Sequence, residues 1–165
     1  MYFIKLQLFL YVFVMFNFQE AEMKYSTRLS DAVHILVFIQ QSDSTTVSSA
    51  DISVSIKTNP SYVRQIMANL KAAGLLNGSR GQATPELAKS PEEITLLDIY
   101  KAVEKDKPLL HLDTHTNPEC GVGVNIQLAL ADYYEQIQKD VEMSMQKITL
   151  QNVIDSYLQR ISNLA

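Results

Sequence analysis

Apolar side chains recur at intervals of three and four residues along much of the chain, which is the spacing of a helix with one buried face. The pattern predicts a first helix over residues 30–41 and, after a polar loop, a second helix that begins at a Ser48 cap and ends near Ile56. A third helix over residues 60–72 follows Asn59, a good N-cap. Because only a few residues separate the second and third helices, the pair is predicted to form a helix-turn-helix.

The predicted third helix has two different faces. One face is apolar and is formed by Val63, Ile66, Met67 and Leu70. The other face is small or hydrogen-bonding rather than acidic, and it is formed by Ser61, Arg64, Gln65 and Ala68. A polar face at the N-terminal end of a helix is suited to enter the major groove of DNA. The pattern therefore predicts a sequence-specific DNA-binding regulator.

The segment after the third helix has the features of a β-hairpin. Leu75 and Leu76 can begin a strand, and Asn77-Gly78 favours a turn. The hairpin is predicted to form a wing beside the helix-turn-helix, with Arg80 at or near its tip.

The C-terminal half is predicted to contain three more helices. The first begins at a Thr95 cap and ends near Lys105, and a long loop over residues 107–123 follows. From Val124 a helix of about 25 residues, roughly 37 Å long, is predicted, and Thr149 begins a last helix. The apolar residues of the long helix are spaced 4, 3, 4, 4, 4 and 3 apart, at Ile126, Leu130, Tyr133, Ile137, Val141, Met145 and Ile148. The spacing of this seam is close to a heptad repeat, and the seam is longer than one small winged-helix domain can cover, so we expect it to pair with its copy in a homodimer. The alternative is that the long helix packs only on its own domain.

Length and composition predict one compact domain, or a small domain with an accessory dimerisation element, since the chain has 165 residues and is 47% apolar. The single cysteine excludes an internal disulfide and is typical of the reducing cytoplasm, which is the predicted location. The net charge of −4 is unevenly distributed. Residues 24–90 carry seven basic and four acidic side chains, a net of +3, whereas residues 91–165 carry six and twelve, a net of −6. Such asymmetry is typical of a protein whose basic half faces DNA. The alternative is that the charged residues only form a solvated surface.

Residues 1–22 differ in composition from the rest of the chain. They contain five of the six phenylalanines, and the apolar stretch over residues 6–18 is shorter than the roughly 20 residues of a membrane span. No small-residue cleavage site of a signal peptide follows it. We interpret this segment as an artefact of an upstream translation start, with Met23 as the natural initiator. An extension packed on the domain and a membrane anchor are the alternatives.

Together these segments predict a mainly α fold with a small β-wing. Its predicted parts are a winged helix-turn-helix DNA-binding domain over residues 23–90, a helix and sensor-like loop over residues 91–123, and a dimerisation helix with a C-terminal helix over residues 124–165. The expected partners are operator DNA and a second copy of the chain, without a membrane.

Several blocks resemble the Rrf2 family of bacterial winged-helix regulators. The blocks are residues 24–28, 49–76, 80–81, 87–88, 91–100 and 117–127, and they extend the resemblance from Met23 to Leu158. The resemblance implies a dimeric repressor or other regulator whose third helix enters the major groove and whose wing reaches the minor groove. It also implies DNA contacts from Ser61, Tyr62, Arg64, Gln65 and Arg80.

The chemistry of these side chains suits DNA. Gln65 can hydrogen-bond an adenine edge, and Arg64 can bind guanine O6 and N7 or a phosphate. Ser61, near a helix N-terminus, suits a phosphate, and Arg80 on a wing suits a narrow minor groove. Packing at the helix edge is the alternative role for Tyr62, and a merely solvated side chain is the alternative for Gln65.

Two features depart from the family that the blocks resemble. Its wing usually has a glycine-rich turn followed by an aromatic residue, where residues 82–86 of this chain are Gln-Ala-Thr-Pro-Glu. Its cluster-binding members carry three cysteines before the long helix, where this chain has only Cys120. Because cluster ligation needs several thiolates, we expect no iron–sulfur cluster and no other cofactor.

The long loop contains candidate sensor residues. His111, His115 and Cys120 are of types that bind zinc or copper, but their spacing matches no strong metal motif, and we predict no metal site. Cys120 is either a thiol switch or a small, buried hydrophobe. A small molecule or a protein at the dimer cleft is a third route to regulation.

No enzyme is predicted, because the chain has no phosphate-binding glycine loop, no nucleophile constellation and no convincing acid pair. The alternative to a DNA-binding regulator is a winged-helix module for protein–protein contact with weak or no DNA binding. The acidic C-terminal half and the altered wing favour that alternative, whereas the polar, basic start of the third helix favours DNA.

Overall fold

The computed structural model describes residues 26–42, 46–78, 85–105, 107–113, 115–117 and 119–163. Within these ranges the helices are α1 (Arg28–Gln41), α2 (Ser49–Ile56), α3 (Pro60–Ala72), α4 (Leu96–Glu104), α5 (Gly121–Gln146) and α6 (Leu150–Ser162). An antiparallel pair of strands, β1 (Leu76–Asn77) and β2 (Glu86–Leu87), lies between α3 and α4, and a 3-10 turn at Pro91–Glu93 precedes α4. The predicted extension over residues 1–22 lies outside the described residues. None of the helices in the described ranges has the length and hydropathy that a membrane span requires.

The helix-turn-helix forms as its capping residues predict. The Ser48 hydroxyl accepts a hydrogen bond from the Asp51 amide at 3.2 Å, and the Asp51 carboxylate accepts one from the Ser48 amide at 2.9 Å. Lys57 then adopts a left-handed conformation, with φ 58° and ψ 48°, which ends α2 and turns the chain toward α3. The Asn59 side chain accepts a hydrogen bond from the Tyr62 amide at 2.8 Å, and a proline follows in the first helical position.

The hydrophobic core holds α3 against the rest of the domain. Val63, Ile66 and Leu70 are fully buried in one apolar cluster with residues of α1 and α4. Complete burial of one such side chain is worth about 1.5–3 kcal/mol, so the apolar face of α3 is strongly held inside. The predicted apolar face is therefore confirmed, although Met67 is only partly buried.

The wing is a short antiparallel hairpin. Leu76 pairs with Leu87, and Asn77 pairs with Glu86. The predicted hairpin is therefore confirmed, with Asn77 as the last residue of β1 rather than part of the turn that Asn77-Gly78 favours. The strands pair across residues 78–85, a connection longer than a two-residue turn.

The long helix begins three residues earlier than predicted, at Gly121 rather than Val124, and it ends at Gln146. The prediction left the glycines of its first turn in the loop, but a glycine costs a helix only about 1 kcal/mol, which the long continuing helix offsets. Ile148 lies beyond the end of α5, so its assignment to the helical seam is wrong.

The junction between α5 and α6 is attached to the start of α4 by backbone hydrogen bonds. The Leu96 amide donates to the Ile148 carbonyl at 2.9 Å, and the Leu150 amide donates to the Ile94 carbonyl at 2.8 Å. Thr149 caps α6, as predicted, by accepting a hydrogen bond from the Asn152 amide. The C-terminal end of α5 is therefore held to the domain by main-chain contacts.

Candidate nucleic-acid interface

The N-terminal end of α3 presents a polar face to solvent. Ser61, Arg64 and Gln65 are exposed there. On the opposite side of the helix, Val63 and Ile66 are fully buried. Because these buried side chains fix the rotation of α3 about its axis, the three polar side chains share one surface. The structure thus brings together three of the residues predicted to contact DNA.

The guanidinium of Arg64 lies between the starts of two helices. It donates hydrogen bonds to the Ser61 hydroxyl at 2.9 Å and to the Ser49 hydroxyl at 3.2 Å. Ser61 belongs to the first turn of α3, and Ser49 is the first residue of α2. A permanent positive charge is therefore held beside the first turn of α3, where the positive end of the helix dipole also lies. This arrangement favours an anion such as a DNA phosphate.

The start of α2, by contrast, already carries a negative group. The Asp51 carboxylate accepts hydrogen bonds from the Ser48 hydroxyl at 2.6 Å and from the Ser48 amide at 2.9 Å. The bond from the hydroxyl, with a smaller effect of the amide, lowers the pKa of Asp51, so the carboxylate is ionised at neutral pH. The first turn of α3 has no acidic residue. An incoming anion is therefore favoured at α3 and Arg64 rather than at the cap of α2.

Tyr62 connects α3 to α1. Its hydroxyl donates a hydrogen bond to the Asp31 carboxylate at 2.8 Å, and the Thr27 hydroxyl donates to the same oxygen at 2.9 Å. Burial, followed by the hydrogen bond to Asp31, raises the pKa of Tyr62. The ring is partly buried against the core, so the packing role considered for Tyr62 agrees with the geometry. A contact from Tyr62 to DNA stays a prediction.

The base of the wing is attached to α3 by a residue that the sequence analysis did not single out. Lys71, in the last turn of α3, donates a hydrogen bond from Nζ to the Gly78 carbonyl at 2.8 Å. The sequence could not indicate this contact, because a lysine near a helix C-terminus is already explained by the helix dipole. Arg80, the residue predicted to reach the minor groove, lies outside the described residues.

The loop before α5 exposes its candidate sensor residues. Cys120 is exposed directly before the helix, so the alternative that it is a buried hydrophobe is wrong. The physical reason is that this end of α5 does not enter the core. His111 and His115 are also exposed, and His115 Nδ1 lies 3.5 Å from Oδ1 of its loop neighbour Asp113. Among the described residues, no three His, Cys, Asp or Glu side chains are grouped to hold a metal ion. A thiol-switch role of Cys120 stays a prediction.

The apolar seam of α5 is uncovered in a single chain. Ile126, Tyr133 and Ile137 are 47%, 70% and 43% exposed. Leu130, Val141 and Met145, on the same seam, are half-buried. Apolar surface of this extent marks an interaction site more often than a free face. Pairing of the seam with a second copy stays a prediction.

The fold and the exposed face of α3 define a winged-helix protein with a helix-turn-helix, which confirms the predicted fold class. The model of the Rrf2 family, described as an iron-dependent transcriptional regulator, matches residues 25–156. The chain belongs to the Rrf2 family of transcriptional regulators. The resemblance noted in the sequence is therefore confirmed, and so is the prediction that the protein is not an enzyme, because this family is not enzymatic.

Individual relatives agree with this assignment. YwnA of Bacillus subtilis (strain 168), named as a candidate HTH-type transcriptional regulator, is 36% identical over 130 residues, which is 79% of this chain and 96% of YwnA. A crystal structure of a candidate DNA-binding protein has a TM-score of 0.61 and 35% identity, and the match covers 77% of this chain and 98% of that one. The structure of CymR, the global cysteine regulator of B. subtilis, shares the fold with a TM-score of 0.58 at 20% identity, over 81% of this chain and 98% of CymR.

Proposed function

We propose that this Rrf2 family member is a cytoplasmic, homodimeric, sequence-specific DNA-binding regulator that acts as a repressor. Recognition helix α3 enters the major groove, and the wing reaches the minor groove. The observation that supports this most strongly is the exposed face of Ser61, Arg64 and Gln65, held outward by the buried side of α3. No cofactor is required for this function.

Each side chain of the exposed face has a distinct role in the proposed complex. Arg64 is held by the hydroxyls of Ser61 and Ser49, so its guanidinium meets a phosphate or a guanine edge without first being ordered. Gln65 offers an amide to an adenine edge. Ser61 and the amides of the first turn of α3 bind a phosphate and set the depth of the helix in the groove. Tyr62, fixed by Asp31, either joins the phosphate contact or only orients the helix. Arg80 supplies the contact of the wing to the minor groove.

The proposed dimer presents this face twice. Helix α5 has 26 residues, which corresponds to about 39 Å. Its seam from Ile126 to Met145 packs on the same seam of a second copy around a two-fold axis. Two copies of α3 then read two half-sites, so the operator is an inverted repeat.

A second candidate function is a winged-helix module for protein–protein contact. It is favoured by the net charge of −6 over residues 91–165, which repels DNA. In the proposed DNA complex only α3 and the wing approach phosphates. The acidic residues 91–165 are therefore compatible with DNA binding if they lie away from the DNA.

A mobility-shift titration on DNA from upstream of the protein's own gene distinguishes the two functions. The DNA-binding function predicts a shifted band at low salt, with affinity that falls steeply between 50 and 200 mM salt because phosphate contacts release counterions. A DNA of equal length and unrelated sequence is the matched control, and it should bind at least roughly 100-fold more weakly. Absence of binding at low salt would contradict the proposal and favour the protein-contact module.

A further inference from the structure

A cleft of about 520 Å³ lies between α1, the last turn of α2, and α6. One wall is formed by Val33, Val37 and Phe38 of α1, and the facing wall by Val153 and Tyr157 of α6. Sites for small molecules in proteins have volumes of roughly 300–1,000 Å³ and mostly apolar walls with a few polar groups. The cleft has the size and the lining of such a site.

Polar side chains line the cleft along α1 and its C-cap, at Ser30, His34, Gln41 and Ser42, and one of them meets Ser55 of α2. His34 Nε2 and Ser55 Oγ lie 2.8 Å apart and form a hydrogen bond that joins the two helices. Both side chains line the cleft. A ring nitrogen and a hydroxyl can each donate or accept, so the pair suits a ligand group that does both, such as a hydroxyl.

The described residues that line the cleft include no aspartate, glutamate, lysine or arginine, although 19% of the chain is charged. An anionic ligand would lose hydration there without meeting a lysine or an arginine, and a cationic ligand without meeting a carboxylate. The complementary ligand is therefore neutral. The aromatic rings of Phe38 and Tyr157 further favour a planar aromatic body.

We propose that this cleft binds a neutral aromatic small molecule with one hydroxyl-like group, its ring between α1 and α6 and its polar group at His34 and Ser55. None of the residues that line the cleft belongs to the seam of α5, so pairing of the two seams does not itself use the walls of the cleft. The cleft is present in the chain without DNA.

If the protein binds an operator as proposed, a ligand in this cleft can also change its affinity for DNA. Ser55 lies two residues before Lys57, whose left-handed conformation turns the chain into α3. A ligand that contacts Ser55 therefore contacts the helix that leads into the recognition helix. Because coupling between two sites is reciprocal, a ligand that alters operator affinity must itself bind DNA-bound protein with altered affinity.

A fluorescence titration of the full chain with 2-naphthol, which is neutral at pH 7, tests the site directly. We expect saturable binding of one molecule per subunit. His34→Ala should weaken binding by about three- to tenfold, since it removes one hydrogen bond. Tyr157→Ala should weaken it by at least about tenfold, since it removes much of one apolar wall. Leu158→Ala is the matched control, because Leu158 is 45% exposed on the same helix but does not line the cleft; its binding should change by less than about twofold.

The charged analogue 2-naphthoate should bind at least about tenfold more weakly than 2-naphthol, since its carboxylate finds no cation in the cleft. Absence of saturable binding would overturn the proposal, and so would equal affinity in wild type, His34→Ala and Tyr157→Ala. Binding that disappears as subunits associate would show that a second copy fills the cleft, and would also overturn it. Operator affinity measured with and without 2-naphthol tests the coupling separately: an unchanged affinity at saturation overturns the coupling, whatever the titration shows.

Discussion

Replacing Ile137 with alanine is expected to weaken dimerisation, because Ile137 lies in the middle of the α5 seam and is 43% exposed in one chain. Full burial of an isoleucine side chain is worth about 1.5–3 kcal/mol, so covering the exposed part contributes roughly 1 kcal/mol per subunit. A two-fold interface contains the residue twice, and Ile137→Ala should therefore cost roughly 2 kcal/mol. That cost corresponds to about a 30-fold rise in the dimer Kd.

Sedimentation equilibrium over a dilution series measures this Kd. The matched control is Leu128→Ala, because Leu128 is 65% exposed on the same helix but outside the seam. Its Kd should stay within about twofold of wild type. Alanine has a higher helix propensity than either residue, so α5 itself should remain folded in both variants, as far-UV circular dichroism can check. An equal rise of Kd in both variants, or an unchanged Kd in Ile137→Ala, would refute the assignment of the seam.

Two further predictions concern stability. Tyr62→Phe should lower the free energy of unfolding in urea by about 1 kcal/mol, because it removes the hydrogen bond to Asp31. The matched Tyr157→Phe, on a side chain 42% exposed, should change it by less than about 0.5 kcal/mol, and equal values for the two would contradict the connection between α1 and α3. The lowered pKa of Asp51 means that the folded protein binds fewer protons there than the unfolded chain, so this stabilisation is present above about pH 4 and is lost as the pH falls further. Asp51→Asn should therefore show a smaller fall of Tm from about pH 5 to pH 3 than wild type, and an equal fall would exclude this contribution.

The starts of four helices, α2, α3, α4 and α6, could be predicted because capping chemistry is local. At each of these starts the capping side chain accepts a hydrogen bond from the amide three residues later in the chain, as the sequence indicates. The capping residues are Ser48, Asn59, Thr95 and Thr149. The apolar face of α3 could be predicted for the same reason, since helix periodicity and burial are linked. The start of α5 could not, because the glycines at its beginning have weak local preferences for either helix or loop.

The contacts that arrange the candidate site could not be predicted, because they join residues far apart in the chain. Arg64 meets Ser49 across the turn of the helix-turn-helix, and Tyr62 meets Asp31 across the core. Neither pair has a spacing that periodicity or a motif would reveal. The exposed position of Cys120 likewise depends on how α5 leaves the domain, which tertiary contacts decide.

Operator binding by Arg64→Ala and Arg160→Ala, measured side by side by fluorescence anisotropy, tests most directly whether the polar face of α3 reads DNA. Both variants remove one exposed arginine, but Arg160 lies on α6, far along the chain from the helix-turn-helix. Arg64→Ala should lose about 1–3 kcal/mol of specific binding, which is roughly a 5- to 150-fold rise in Kd, whereas Arg160→Ala should stay within about twofold of wild type. Equal Kd values for Arg64→Ala and wild type would contradict the account.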